Sequence, residues 1–166
     1  MNNVVLANII AFFAGICCVV SVFGKNKKQI VCVEFFSSLL IIISNTLVQG
    51  WSDALAKVVK ALTQFLSLNN KLNKARLYII SFIYVFLCFG IIYITSDFRY
   101  LIAVVPSMME FYSLLGRSAK KYRWYNIITK VFWTINNIVF KLYVGIFFDI
   151  IIVMGHFYKI KHTRGR

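Results

Sequence analysis

Hydrophobic residues in this chain gather in long runs, and the gaps between runs are short and polar. A helix that crosses a bilayer needs about 20 mainly apolar residues. Seven runs approach that length. Segment one covers about Val4 to Phe23, segment two about Ile30 to Val48, segment three about Asp53 to Leu68 and segment four about Leu77 to Thr95. Segment five covers about Phe98 to Leu115, segment six about Trp124 to Phe140 and segment seven about Val144 to Tyr158. Segments six and seven are short for a full span, so snorkelling ends or local thinning must help them. Segment three differs in kind. Asp53, Lys57, Lys60 and Gln64 recur at spacings of four, three and four, which puts them on one stripe of a helix. Alone it reads as an interfacial amphipathic helix; as a span it must turn that stripe toward other helices or water.

The gaps decide between those readings. Fourteen of the nineteen Lys and Arg lie in four clusters: Lys25/Lys27/Lys28, Lys71/Lys74/Arg76, Arg117/Lys120/Lys121/Arg123 and Lys159/Lys161/Arg164/Arg166. The clusters occupy alternate gaps, and the gaps between hold only Arg99 and Lys141. Cytoplasmic loops retain Lys and Arg, so the alternation predicts seven crossings with the N-terminus outside and the C-terminus in the cytoplasm. The alternation fails unless segment three crosses. Segment one lacks the basic leading region of a signal peptide and its apolar run is too long for one. Loops of about four to eight residues make successive helices antiparallel neighbours. The expectation is an all-α membrane protein, one domain over residues 1–166.

Composition agrees: the chain has 166 residues, is 60% hydrophobic and contains one proline, with mean hydropathy +0.77. A net charge of +14 would ordinarily suggest nucleic acid. Here most of the basic residues sit in loops and the aromatic content sits mainly inside the apolar runs, so the partner they predict is anionic lipid headgroups and not nucleic acid.

An offset of 92 aligns the two halves. Gly24 falls opposite Gly116, Lys28 opposite Lys120, Ser21 opposite Ser113 and Asn45 opposite Asn137. Ile10/Ile102, Ala11/Ala103, Ile43/Ile135 and Phe65/Phe157 complete eight identities. So few identities in so apolar a chain prove nothing alone, but the topology gives them weight. Residues 4–68 and 98–158 would each form a three-helix unit, parallel to one another because an odd linker helix, 77–95, lies between them. A basic cytoplasmic tail, 159–166, would follow. Parallel repeats of this plan in transporters place the substrate site at the repeat interface.

The 3+1+3 plan is similar to that of the SWEET sugar carriers and the PnuC vitamin-precursor carriers, and the chain more closely resembles the YgjV family of small bacterial inner-membrane proteins. The residues that carry the resemblance are Gly24-Lys25, Asn45 and Gly50 in the first half, and Gly116-Arg117, Trp124-Tyr125-Asn126, Trp133, Asn137 and Gly145 in the second. It implies a small-molecule carrier or facilitator. The chain departs from the SWEET pattern in having only Pro106, and it lacks the Pro-Gln pair of PQ-loop proteins and the paired Trp of the PnuC carriers.

Charges inside a membrane are costly and mark function or pairing. Glu34, Glu110 and Asp149 stand against Lys57, Lys60 and Lys130. Glu34 and Lys57, near segment ends, read as helix-tying salt bridges; Glu110, Lys130 and Asp149, nearer mid-helix, fit a charge pair or proton-coupling role equally well. Segment six carries Asn126, Lys130, Trp133, Asn137 and Lys141 at helical spacings, with Asn136 beside them. Asn both donates and accepts, and Trp offers a stacking face, so Asn45, Asn136, Asn137, Trp133 and Lys130 are the expected lining of a site for a neutral polar solute. The plainer role for Asn is interhelical hydrogen bonding. Pro106 in mid-segment five is a hinge or a static kink. Cys17, Cys18, Cys32 and Cys88 read as free buried thiols, and two histidines do not make a metal or catalytic centre. No phosphate-cradling loop is present.

The leading expectation is therefore a passive or ion-coupled carrier without cofactor or metal, and not an enzyme, as monomer or homo-oligomer. The alternative is a non-transporting assembly factor, regulator or subunit whose polar residues pair between helices. Lipid handling along the segment-three lysines is a third.

Overall fold

The computed structural model describes residues 2–47, 51–96, 98–116, 118–139 and 143–162, without the side chains of residues 2, 51, 52, 99, 100 and 143. Gly50, Arg117, Lys141 and the end of the tail, all used above, lie outside the described residues, as does the side chain of Arg99.

The described chain is all helical. The α-helices are α1 (Asn2–Val22), α2 (Lys27–Leu47), α3 (Trp51–Leu68), α4 (Lys74–Thr95), α5 (Val104–Ser113), α6 (Ala119–Val139) and α7 (Tyr143–His162). A 3-10 helix, Phe98–Ala103, leads into α5. Three helices, α1, α2 and α4, are long and apolar enough to cross a membrane by length and composition.

Helix ends follow capping chemistry and not the edges of the apolar runs. Asn26 Oδ1 accepts from Gln29 N at 2.9 Å ahead of α2, Ser118 Oγ from Lys121 N at 3.2 Å ahead of α6, and Asn73 Oδ1 from Arg76 N at 2.8 Å ahead of α4. Each satisfies an amide that the first turn leaves unpaired. The cap at Ser118 starts α6 before the apolar run does, and Lys159, Lys161 and His162 continue α7 beyond it, where cations favour a helix C-terminus. Segments six and seven, short as apolar runs, are thus helices of 21 and 20 residues. Segment five is corrected the other way. It is not one helix with a mid-point kink: Pro106 lies in the first turn of α5, after the 3-10 segment, where a missing N–H costs nothing.

In the packing, α2 lies between α1 and α3, and α6 between α5 and α7. The two sets meet through α1 against α7 and α3 against α5, while α4 packs on α3 and α5. At the α1–α7 contact, Gly15 faces the Phe148 ring and Gly155 faces Val22; a Cβ on Gly15 would stand 2.5 Å from that ring. Apolar clusters fill the space between α3, α4 and α5, around Leu77, Tyr84 and Phe111, and between α2, α5 and α6, around Ile30, Leu114 and Tyr122.

Polarity is inverted relative to a soluble protein. Phe82, Phe86, Tyr93 and Ile94 are 71–88% exposed, while Glu34, Lys60, Gln64, Glu110 and His156 are buried. Such an apolar surface is at home in hydrocarbon, where buried charges must find partners inside the bundle.

Candidate functional site

Buried polar side chains of α2, α3, α5 and α6 form a cluster at the junction of the two three-helix sets. Its centre is Lys60 on α3, whose Nζ lies 3.1 Å from Glu110 Oε1 on α5 and 3.9 Å from Glu34 Oε2 on α2. Glu110 also accepts from Trp133 Nε1 of α6 at 3.1 Å, and its Oε2 lies 3.8 Å from Lys57 Nζ. Lys57 sits over the Trp133 ring, 4.3 Å from the centroid, as a cation on an aromatic face. Glu34 accepts from Gln64 Nε2 at 3.4 Å, from Asn126 Nδ2 at 3.3 Å and from the Tyr122 hydroxyl. Ser38 Oγ donates to Gln64 Oε1 at 3.0 Å. Beside this group, Lys130 on α6 pairs with Asp149 Oδ1 on α7 at 2.7 Å, and Asn137 Nδ2 donates to Asp149 Oδ2 at 2.9 Å.

Local sequence aims these side chains. Lys57, Lys60 and Gln64 are one face of α3 at three- and four-residue spacing, and that face points inward as expected. The stripe of α6 resolves into two. Tyr122, Asn126 and Trp133 face Glu34 and Glu110; Lys130 and Asn137 face Asp149 on α7. A stripe at mixed three- and four-residue spacing is wide enough to serve two neighbours. Pro106 precedes Glu110 by one turn on α5, and both are buried. Three lysines and three carboxylates thereby offset one another. Removing one member of such a pair costs about 3–5 kcal/mol, because the other charge is left buried.

Two expected lining residues stand apart. Asn45 is half-buried near the end of α2 and has no side-chain hydrogen-bond partner among the described residues. No hydrogen bond joins it to Asn137 or Trp133, which bond to Asp149 and Glu110. Asn136 is buried, with its Oδ1 unpaired. Sequence reasoning passed over Tyr122, Arg123 and His156. At the offset of 92 Tyr122 falls opposite Ile30 and Arg123 opposite Val31, apolar residues that the structure buries; apolar partners at that offset were the only signal in the sequence. Arg123 donates to Val22 O at 2.6 Å and Gly24 O at 2.7 Å at the end of α1, and its NH1 lies 3.3 Å from His156 Nδ1. Lys27 donates to Leu114 O at the end of α5.

A cavity of about 660 Å³ opens at the basic end, lined among others by Asn26, Lys27, Val31, Leu68, Leu72 and Leu114. Val31, Leu114, Ile30 and Tyr122 pack as an apolar layer under it, and the Tyr122 hydroxyl reaches Glu34 on the other side. Val31 and Leu114 thus line the cavity and pack with Tyr122, which bonds to the charge cluster. Among the described residues, no group of three or more His, Cys, Asp or Glu could hold a metal ion.

No curated protein and no solved structure matches the chain. A family model described as bacterial inner membrane protein, Imp-YgjV, matches residues 5–165. The chain, with its apolar exterior and its charges paired inside, belongs to the Imp-YgjV family of bacterial inner membrane proteins.

Proposed function

We propose that the protein is a seven-span carrier for a small polar solute, built from two parallel three-helix units about a pseudo-two-fold axis, with segment four as linker and with N-terminus outside. It does no covalent chemistry of its own. The observation that carries this reading is the buried cluster itself: Lys60 stands between one carboxylate from each unit, at their interface. Repeat-built transporters place their solute site there.

Several features support the two-unit plan. Helices α2 and α6 are both 21 residues long, and their starts are offset by the 92 positions that separate Glu34 from Asn126. The capping bonds Asn26–Gln29 and Ser118–Lys121 correspond at that offset, as do Ser21 Oγ to Cys18 O and Ser113 Oγ to Glu110 O. Contact of α1 with α7 and of α3 with α5 is the exchange a two-fold requires. Glu34 and Asn126, which correspond, bond to each other, as groups on the axis would. Each unit also clasps the other's first helix, through Lys27 on Leu114 and Arg123 on Val22 and Gly24. The likeness to SWEET and PnuC carriers rests on this plan alone.

The non-transporting reading has one observation of its own. Every lysine and carboxylate of the cluster has a partner, as helix glue would. Uptake decides between them. Proteoliposomes carrying the protein should accumulate one class from a panel of labelled sugars, nucleosides, amino acids and carboxylates, and Trp133→Ala should abolish that uptake while the variant stays folded. Uptake of no class, with Trp133→Ala merely less stable, would establish the glue reading.

A further inference from the structure

We propose that Lys57, Lys60 and the indole N–H of Trp133 form an anion subsite for a small carboxylate solute, which Glu110 fills as an internal stand-in. This deepens the carrier reading and rests on it, because it names the chemical class of the solute.

The donors and the carboxylate belong to different elements. Lys57 and Lys60 come from α3 and Trp133 from α6; Lys57 is lodged over the Trp133 ring, and all three converge on the Glu110 carboxylate. The carboxylate arrives from α5. That helix has 10 residues, follows a 3-10 segment, and carries Pro106 one turn before Glu110. A 3-10 stretch running directly into an α-helix has poorer hydrogen-bond geometry than the helix itself and often marks a hinge. Without Glu110, Lys60 keeps Glu34 at 3.9 Å, whereas Lys57 keeps only an aromatic face and Asp53 one turn earlier. The vacancy is one carboxylate wide and one negative charge deep.

Charge balance supplies the coupling. The three lysines and three carboxylates that pair in and beside the cluster sum to zero. A solute carboxylate that takes the lysines leaves Glu110 as an unpaired carboxylate inside the bundle, and one proton on a Glu110 oxygen offsets that charge. The groups that bear on Glu110 are Lys57 and Lys60 from α3 and Trp133 and Lys130 from α6, with Glu34 from α2 across Lys60. Solute and proton would enter together, one to one, with the displaced Glu110 kept neutral inside the bundle. Neutral sugars would gain nothing from the lysines.

The test is thermal unfolding of the purified full-length protein with acetate or propionate, against propionamide and chloride at equal ionic strength. In Glu110→Ala, propionate should raise the Tm saturably while propionamide and chloride do not. Glu110 acts as a tethered competitor at millimolar effective concentration or higher, so the variant should bind propionate at least about tenfold more tightly than the wild type. Glu110→Gln, which keeps the volume, serves if the alanine variant does not fold. In the wild type, calorimetry in two buffers of different ionisation enthalpy should read one proton taken up per carboxylate bound. Equal responses to propionate and propionamide, or no proton uptake, would overturn the assignment. Stabilisation of the wild type by a neutral solute, with neither protein responding to carboxylates, would leave the carrier reading standing and remove this one. No response to either class would remove this assignment and leave the carrier reading to the uptake assay.

Discussion

Lys60 and Lys130 show how a single ionisable residue behaves when hydrocarbon surrounds the bundle. Neither can reach water cheaply, so each is held by a carboxylate on another helix. Their partners differ in what they leave free. Lys130 and Asp149 form a closed pair, with Asn137 on the remaining oxygen. Lys130→Met should therefore destabilise the protein by about 3–5 kcal/mol, and the double change Lys130→Met with Asp149→Leu should cost much less, since no charge is then stranded. Denaturant unfolding in a fixed detergent measures both; equal losses would mean that the pair has a net stabilising value beyond mutual neutralisation.

The helices meet through two chemically different contacts. On the α3–α5 side the interface is charged, through Lys57, Lys60 and Glu110. On the α1–α7 side it is apolar and depends on glycine. The Phe148 ring against Gly15 is hemmed by Phe12 and Phe147, with centroids at 5.8 and 5.7 Å, so it has little room to retreat. Gly15→Ala should cost about 1–3 kcal/mol by overpacking, whereas Gly90→Ala, which meets nothing within 4 Å, should be neutral or slightly stabilising. Thermal melts of the two variants make the comparison. Caps are the other element-scale determinant. Asn26→Ala and Ser118→Ala should each lose about 1 kcal/mol through the first turns of α2 and α6, read as a lowered unfolding midpoint with unchanged slope.

For the whole molecule, the binding of α1's end by Arg123 and of α5's end by Lys27 ties the proposed units together at the basic face. Hydrogen bonds to charged groups contribute about 1.5–3 kcal/mol, so Arg123→Ala should destabilise by at least that much, and Arg123→Lys should recover little. A single ammonium cannot span two carbonyls as the guanidinium fork does. Unfolding midpoints of the three proteins check this. Orientation is tested separately. A fluorescent reporter at the C-terminus should light in the cytoplasm, and Ser96→Cys in a cysteine-free background should react with an impermeant thiol reagent from outside. A C-terminal reporter active only outside would reverse the assignment.

Apolar runs and alternating basic gaps were enough, without coordinates, to reveal an all-helical membrane chain and the inward stripe of α3; its family was legible only as a resemblance, through residues such as Gly24-Lys25, Trp133 and Asn137. These are one-dimensional properties: the transfer free energy of a segment and the retention of Lys and Arg act on residues as they come in order. They also nominated Glu110, Lys130, Trp133, Asn137 and Asp149, because charge and amide groups inside apolar runs are conspicuous wherever they fall. Partner choice was not legible. Nothing in spacing says that Trp133 turns to Glu110 while Asn137, four residues on, turns to Asp149, that Asn45 stays apart, or that Tyr122 reaches Glu34. Nor did the apolar pattern reveal that Pro106 begins a helix and does not bend one. Those outcomes depend on which helices lie side by side and at what rotation. In a bundle whose outside is as apolar as its inside, the choice falls to the few polar groups that must find one another, and only the tertiary structure decides it.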